Sequence, residues 1–466
     1  MDSSKQLLKN TSIYALGDII PRAVNFVFFP ILTHYLTPAD YGILNYVSSI
    51  NNFLTIITFL CLNTYYMVYY NRVDSDEERK KLLGNISIFV IGINLVLCIF
   101  LFGLGPFVFG LFGDNIPFYP YIAIGVLTNF FNIFSVLPSC LLRMQERPAL
   151  FTVINVSKAV LVTLFTALLV IYFKFGVNGA LTSNLVITFI AAIIFVIITY
   201  RNAIFKWNNI QIKEALAFSL PLLPGSIAYY FVTMSDRLLI NKYLTLSDLG
   251  LYSTASSLAL LMNTVSYGAY KAFEPYIFKI YLESDFSQKI RKVSDNYCYL
   301  LLIIALGIAL LSKDFLVLFT DSKYFKSADY VPLLVVGCFF SSFSYLFGSV
   351  ITAAGKTKLS SYISIIGGVI SVVLNVLLLR FGVVFACVTS AISFFIMWFL
   401  NYYYSNVKLK IWSIIPYVIV IVLAVLFFLW VDFDSIYVDI IVKLIVFFVI
   451  TFWLYVKSDI KIWKKK

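Results

Sequence analysis

The chain has 466 residues and a net charge of +12; 61% of its residues are hydrophobic and only 12% are charged. With a mean hydropathy of +0.92, it carries more apolar surface than a water-soluble fold of this size can hide, so lipid must be the solvent for most of it. The basic residues sit in short loops between apolar runs, which makes them topology signals, and nothing in the chain resembles a nucleic-acid module.

Taken in order, apolar segments long enough to cross a bilayer fall at 10–35, 41–70, 82–104, 117–142, 149–173, 177–200, 213–243, 248–279, 293–312, 328–354, 359–379, 383–404, 412–430 and 435–456. The expected fold is therefore all-α and integral to the membrane, with about fourteen transmembrane helices. The first segment is interrupted by Asp18, Pro21 and Arg22 with no small-residue cleavage site after it, so it reads as a span and not as a signal peptide. Alternate sets of loops differ sharply in charge: about 24 Lys and Arg fall in one set and about 6 in the other. The positive-inside rule then places both termini in the cytoplasm, which requires an even number of spans. The outward loops are short, and no soluble domain is inserted.

A repeat organises these spans. At an offset of 208 residues, Gly225 matches Gly17, and Tyr243-Leu244-Thr245, Asp248 and Gly250 match Tyr35-Leu36-Thr37, Asp40 and Gly42. Ser256-Ser257 match Ser48-Ser49, and Lys174-Phe-Gly-Val has an echo in Arg380-Phe-Gly-Val. The first and seventh spans run in the same direction, so the halves are expected to be related by an axis along the membrane normal. This divides the chain into an N-terminal lobe (1–205, six spans), a C-terminal lobe (206–410, six spans) and two extra helices with a basic cytoplasmic tail (411–466). The six cysteines (Cys61, Cys98, Cys140, Cys298, Cys338, Cys387) lie singly in apolar runs and read as buried thiols. One histidine, His34, is too little for an ordinary zinc site. No metal or cofactor is expected, and no nucleotide-binding loop is present.

The stretch Leu36-Thr37-Pro38-Ala39-Asp40-Tyr41-Gly42 after an Arg-bearing first span is similar to the start of the polysaccharide flippases (Wzx-type O-antigen and capsule repeat-unit transporters). So is Phe218-Ser-Leu-Pro221-Leu-Leu-Pro224-Gly225, followed by Ser235-Asp236-Arg237 and Leu249-Gly250-Leu251-Tyr252-Ser253. These belong to the multidrug/oligosaccharidyl-lipid/polysaccharide exporter superfamily. The resemblance implies two six-helix lobes in a V, alternating access and two extra C-terminal helices. It also implies export of an undecaprenyl-pyrophosphate-linked oligosaccharide from the cytoplasmic to the outer leaflet of a bacterial inner membrane. A polysaccharide polymerase and a chain-length regulator are partners it leaves open. In related lipid II flippases the extra helices help form a lipid groove; here they carry Asp439 and Lys443 one turn apart.

A pyrophosphate crossing hydrocarbon needs fixed positive and polar groups in place of water. Arg22, deep in the first span, is the first candidate; Asp18, one turn away, could hold it at rest and release it to phosphate. Asn25 lies on the same span as a sugar contact. Lys158 in the fifth span, Asp236 and Arg237 in the seventh, and Lys271 with Glu274 in the eighth complete the candidate substrate-binding set. A cation or drug antiporter of the same superfamily is the alternative, against which the intramembrane cations argue. A membrane-embedded sugar-chain polymerase or ligase would be expected to need a large outward catalytic loop, so the expected function is transport and not enzymatic.

Overall fold

The computed structural model describes residues 2–73, 75–111, 113, 115–281, 283–407, 411–430 and 435–457. The basic tail Lys461–Lys466 and the side chain of Asp18 lie outside the described residues. Among the described residues there are sixteen α-helices: α1 (Asp2–Tyr35), α2 (Pro38–Phe59), α3 (Leu62–Tyr70), α4 (Asp76–Gly110), α5 (Ala123–Met144), α6 (Pro148–Ala167), α7 (Gly176–Asn202), α8 (Asn209–Ser219), α9 (Leu223–Tyr243), α10 (Leu246–Ile280), α11 (Phe286–Phe319), α12 (Val331–Ala353), α13 (Thr357–Leu378), α14 (Val383–Ser405), α15 (Ile411–Trp430) and α16 (Ile436–Lys457). No strand occurs among the described residues.

Ten helical stretches among the described residues are long and apolar enough to cross a membrane, and the pair α2–α3, bent by 54°, makes an eleventh. The protein is a multi-pass membrane protein. The remaining expected spans fall on α1, α10 and α15. A Ser-, Thr- and Tyr-rich sequence dilutes the apolar run of α10, and in α1 the side chains are described without interruption only over 19–35. In α15 the described apolar run is the shorter Val418–Phe428.

Helix ends are fixed by local chemistry. The Thr37 hydroxyl accepts the backbone N–H of Asp40, while the Asp40 carboxylate accepts the Thr37 backbone N–H at 2.9 Å. This reciprocal capping box is repeated 208 residues on: the Thr245 hydroxyl accepts the Asp248 N–H at 3.1 Å, and Asp248 accepts the Thr245 N–H at 3.2 Å. The two capped starts touch through their glycines. A Cβ on Gly250 would lie 1.7 Å from the Pro38 carbonyl oxygen, and one on Gly42 would lie 2.7 Å from that of Leu246. The bend between α2 and α3 has a different origin: Leu60 and Cys61 sit at φ 48 and 63, the left-handed region that side chains disfavour.

The chain divides into two compact units. The first comprises residues 1–230 and 237–250. In it α1 lies along α6, and α5 packs on α2, α4 and α7. Gly17 makes the α1–α6 approach possible, since a Cβ there would stand 2.6 Å from the Thr152 hydroxyl. That hydroxyl donates to the Ile13 carbonyl at 2.8 Å, and Tyr14 donates across to Leu142 at 3.1 Å. The second unit comprises 231–236 and 251–466. There α14 packs on α12 and α13, and α11 carries both α15 and α16. Its core includes Val232, Ile351, Ile363, Phe394 and Met397.

Candidate functional site

The first unit holds a wide-mouthed cavity of about 840 Å³. Its walls come from α1, α2, α3, α5, α6 and α7, and three cationic side chains line it: Arg22, Arg143 and Lys158. No carboxylate is among its described lining residues. Between the cations stand neutral hydrogen-bonding groups, chiefly Asn25, Asn45, Asn63, Asn155 and Asn184, with Ser48, Ser135 and Ser139. Fixed positive charge and amide dipoles in a low-dielectric shell suit an anionic, hydroxyl-rich solute: guanidinium groups present planar forks to phosphate oxygens, and amides serve sugar hydroxyls.

Each cation is held by its own helix contacts. Arg22 follows Pro21 on α1, which Gly17 lets settle on α6. The Lys158 ammonium donates to Asn132 Oδ1 at 3.2 Å, which draws it from α6 toward α5. The Arg143 guanidinium lies over the Phe151 ring with its Cζ 4.7 Å from the centroid, a cation–π contact that keeps charge available while fixing its position. Phe151 is itself buried and meets Tyr14 edge-on at 5.6 Å.

The other expected residues are placed elsewhere. Asp236 is 2% exposed and belongs to a polar cluster of the second unit. Its carboxylate accepts from Asn375 Nδ2 at 2.7 Å, from the Ser390 hydroxyl at 2.7 Å and from the Tyr252 hydroxyl. Asn375 in turn accepts from Thr389 at 2.5 Å, and Ser235 and Ser371 pair at 3.1 Å. Arg237 is buried. Lys271 and Glu274 face different partners: the Lys271 ammonium lies 4.7 Å from the centroid of the Tyr267 ring, while Glu274 accepts from the Tyr270 hydroxyl at 2.6 Å. The structure thus brings Arg22, Asn25 and Lys158 together in one cavity of the first unit, whereas Asp236, Lys271 and Glu274 belong to the second unit.

Residues 7–281 match the family model described as polysaccharide biosynthesis protein, more than half of the chain. The chain belongs to the polysaccharide biosynthesis protein family. Residues 221–377 also match the MatE family model. A Haemophilus influenzae protein, Lsg locus putative protein 1, is 23% identical over 79% of this chain and 90% of its own length. The probable low-salt glycan biosynthesis flippase Agl15 of Haloferax volcanii is 28% identical over 39% of each chain. Among solved structures, the lipid II flippase MurJ in an inward closed conformation superposes with a TM-score of 0.76 at 13% identity, covering 95% of this chain and 98% of that one. An inward-facing multidrug-resistance MATE transporter of the MOP superfamily superposes with a TM-score of 0.67 at 14% identity over 84% of this chain and 98% of that one. The fold is that of the MOP superfamily, as the sequence motifs lead one to expect.

Within this family fold, Arg143 is the lining cation that sequence reasoning missed. It stands in the last turn of α5 and reads, by position, as one more inward-loop charge. The signal that could have found it is the polar stripe of α5 leading up to it, with Ser139 and Ser135 one and two turns earlier.

Proposed function

We propose that this protein is a lipid-linked oligosaccharide flippase. It moves undecaprenyl-pyrophosphate-linked polysaccharide repeat units, of the O-antigen or capsule kind, from the cytoplasmic to the outer leaflet of a bacterial inner membrane by alternating access. The observation that carries this reading is the cavity of the first unit, where Arg22, Arg143 and Lys158 stand among amides with no described carboxylate. Family membership supports it, as does the likeness in fold to a lipid II flippase. In this reading the guanidinium groups and Lys158 take the pyrophosphate, Asn25 and its neighbours take sugar hydroxyls, and the isoprenoid tail stays in the bilayer. Fourteen spans, two six-helix lobes with α15 and α16 outside the repeat, and cytoplasmic termini complete the proposed topology.

The test is Arg22→Ala. The variant is expected to insert normally, to lose surface polysaccharide, and to accumulate repeat units on the inner leaflet. Normal polysaccharide in that variant would remove Arg22 from the mechanism. A second reading, a cation or drug antiporter, is favoured by the MatE match over 221–377 and by the buried Asp236 carboxylate within it. The cationic lining of the cavity weighs against it, because such a substrate is itself a cation. Drug efflux by purified protein, with no effect on lipid-linked glycan, would decide for that reading.

A further inference from the structure

In the second unit, three ionisable side chains are buried among apolar helices. The Lys443 ammonium of α16 donates to both carboxylate oxygens of Asp314 on α11, at 2.9 and 3.1 Å, and to Asp439 Oδ2 one turn back on α16 at 2.5 Å. Lys443 is 1% exposed, Asp314 5% and Asp439 6%. The Phe428 ring of α15 closes the remaining side, its centroid 5.9 Å from the ammonium.

This cluster does not balance. One ammonium faces two carboxylates, so full ionisation leaves a net negative charge in hydrocarbon, where water cannot screen it. Asp439 Oδ1 is buried and has no hydrogen-bond partner, a costly state for a carboxylate oxygen. The Lys443 ammonium bridges the Asp314 and Asp439 carboxyls, so both are gathered round a single cation, and one added proton is what such a cluster lacks for neutrality. Lys313 of α11 and Asp329 of the turn Ser322–Tyr330 line a cavity of about 40 Å³ that also touches Lys443. α15 brings no charged residue among those described. That cavity, beside the ammonium, is large enough for a water molecule.

We propose that Asp314, Lys443 and Asp439 form a proton-binding site, in which the two carboxyls share one exchangeable proton and the ammonium clamps them together. The shared proton brings the cluster to neutrality. A metal ion is disfavoured in this place because Lys443 already occupies the centre as a tethered cation. The site is independent of the substrate reading, since its three residues all belong to the second unit and none lines the cavity of the first.

The test is infrared titration of the full-length protein in lipid nanodiscs, following the carbonyl stretch of protonated carboxyls with aspartate isotopically labelled. The wild type is expected to show a protonated-aspartate band at neutral pH. Asp439→Asn is expected to lose that band while staying folded, because the neutral Lys443–Asp314 pair survives. Lys443→Met is expected to raise the band about twofold, since two carboxyls without a counter-ion must both be neutral. No protonated aspartate at neutral pH in the wild type, or an undiminished band in Asp439→Asn, would overturn the proposal.

Discussion

At the scale of residues, the cavity's chemistry rests on three cations that differ in kind. Arg22 and Arg143 can each make two parallel hydrogen bonds to a phosphate, whereas Lys158 acts as a point charge already leaning on Asn132. A charge-assisted hydrogen bond contributes about 1.5–3 kcal/mol, so Arg143→Ala should weaken binding of a pyrophosphate lipid by about tenfold or more. Arg143→Lys should recover part of that, as measured by equilibrium binding of radiolabelled lipid to purified protein. Equal binding by all three forms would mean that Arg143 serves packing on Phe151 alone. Much of this was legible beforehand. Arg22, Asn25 and Lys158 announced themselves as polar groups inside apolar runs, where they are too costly to be idle. The partners of Asp236 were not legible, because Asn375 and Ser390 come from helices far along the chain and nothing local marks them. Lys271 and Glu274 show the opposite failure: spacing one turn apart suggested a pair, yet tyrosines on the same helix claim each of them.

At the scale of elements, the motif most useful for recognising the family does structural work. Thr37 and Asp40 cap α2, Thr245 and Asp248 cap α10, and Gly42 and Gly250 let backbone meet backbone. Gly250→Ala would force a methyl group into the Pro38 carbonyl, so the capped ends must separate. A loss of about 1–3 kcal/mol or more is expected, as for overpacking, and would be seen as a lower thermal midpoint in detergent. Thr245→Ala should cost less, about 1 kcal/mol, because only a cap is lost. If Gly250→Ala unfolds at the wild-type temperature, the close approach does not hold in solution. The break at Leu60 and Cys61 makes a second prediction. Both occupy left-handed backbone, so Leu60→Gly should relieve strain and leave the 54° bend intact, stabilising the protein by about 0.5–1 kcal/mol. Destabilisation would show that the buried side-chain packing of this bend outweighs its backbone strain. Sequence alone gave no hint of this break: an unbroken apolar run carries no sign of a bend made without proline or glycine.

At the scale of the whole molecule, composition and loop charge announced a membrane protein, and family membership with a MOP-type fold agrees. The count of spans was harder, because the Ser-, Thr- and Tyr-rich α10 falls short in apolarity. If the substrate leaves as an anion, an interior-negative potential favours export by roughly 2.3 kcal/mol per charge per 100 mV. Collapsing the potential in proteoliposomes at a fixed pH gradient should then slow flipping; an unchanged rate would point to ion coupling instead. The facing glycines at the two capped helix starts have a further implication for heredity. They are one inherited instruction written twice, and the two copies now constrain each other in space. Drift that enlarges either position is felt at both, so a library randomised at 42 and 250 together should return the smallest side chain twice, and seldom once.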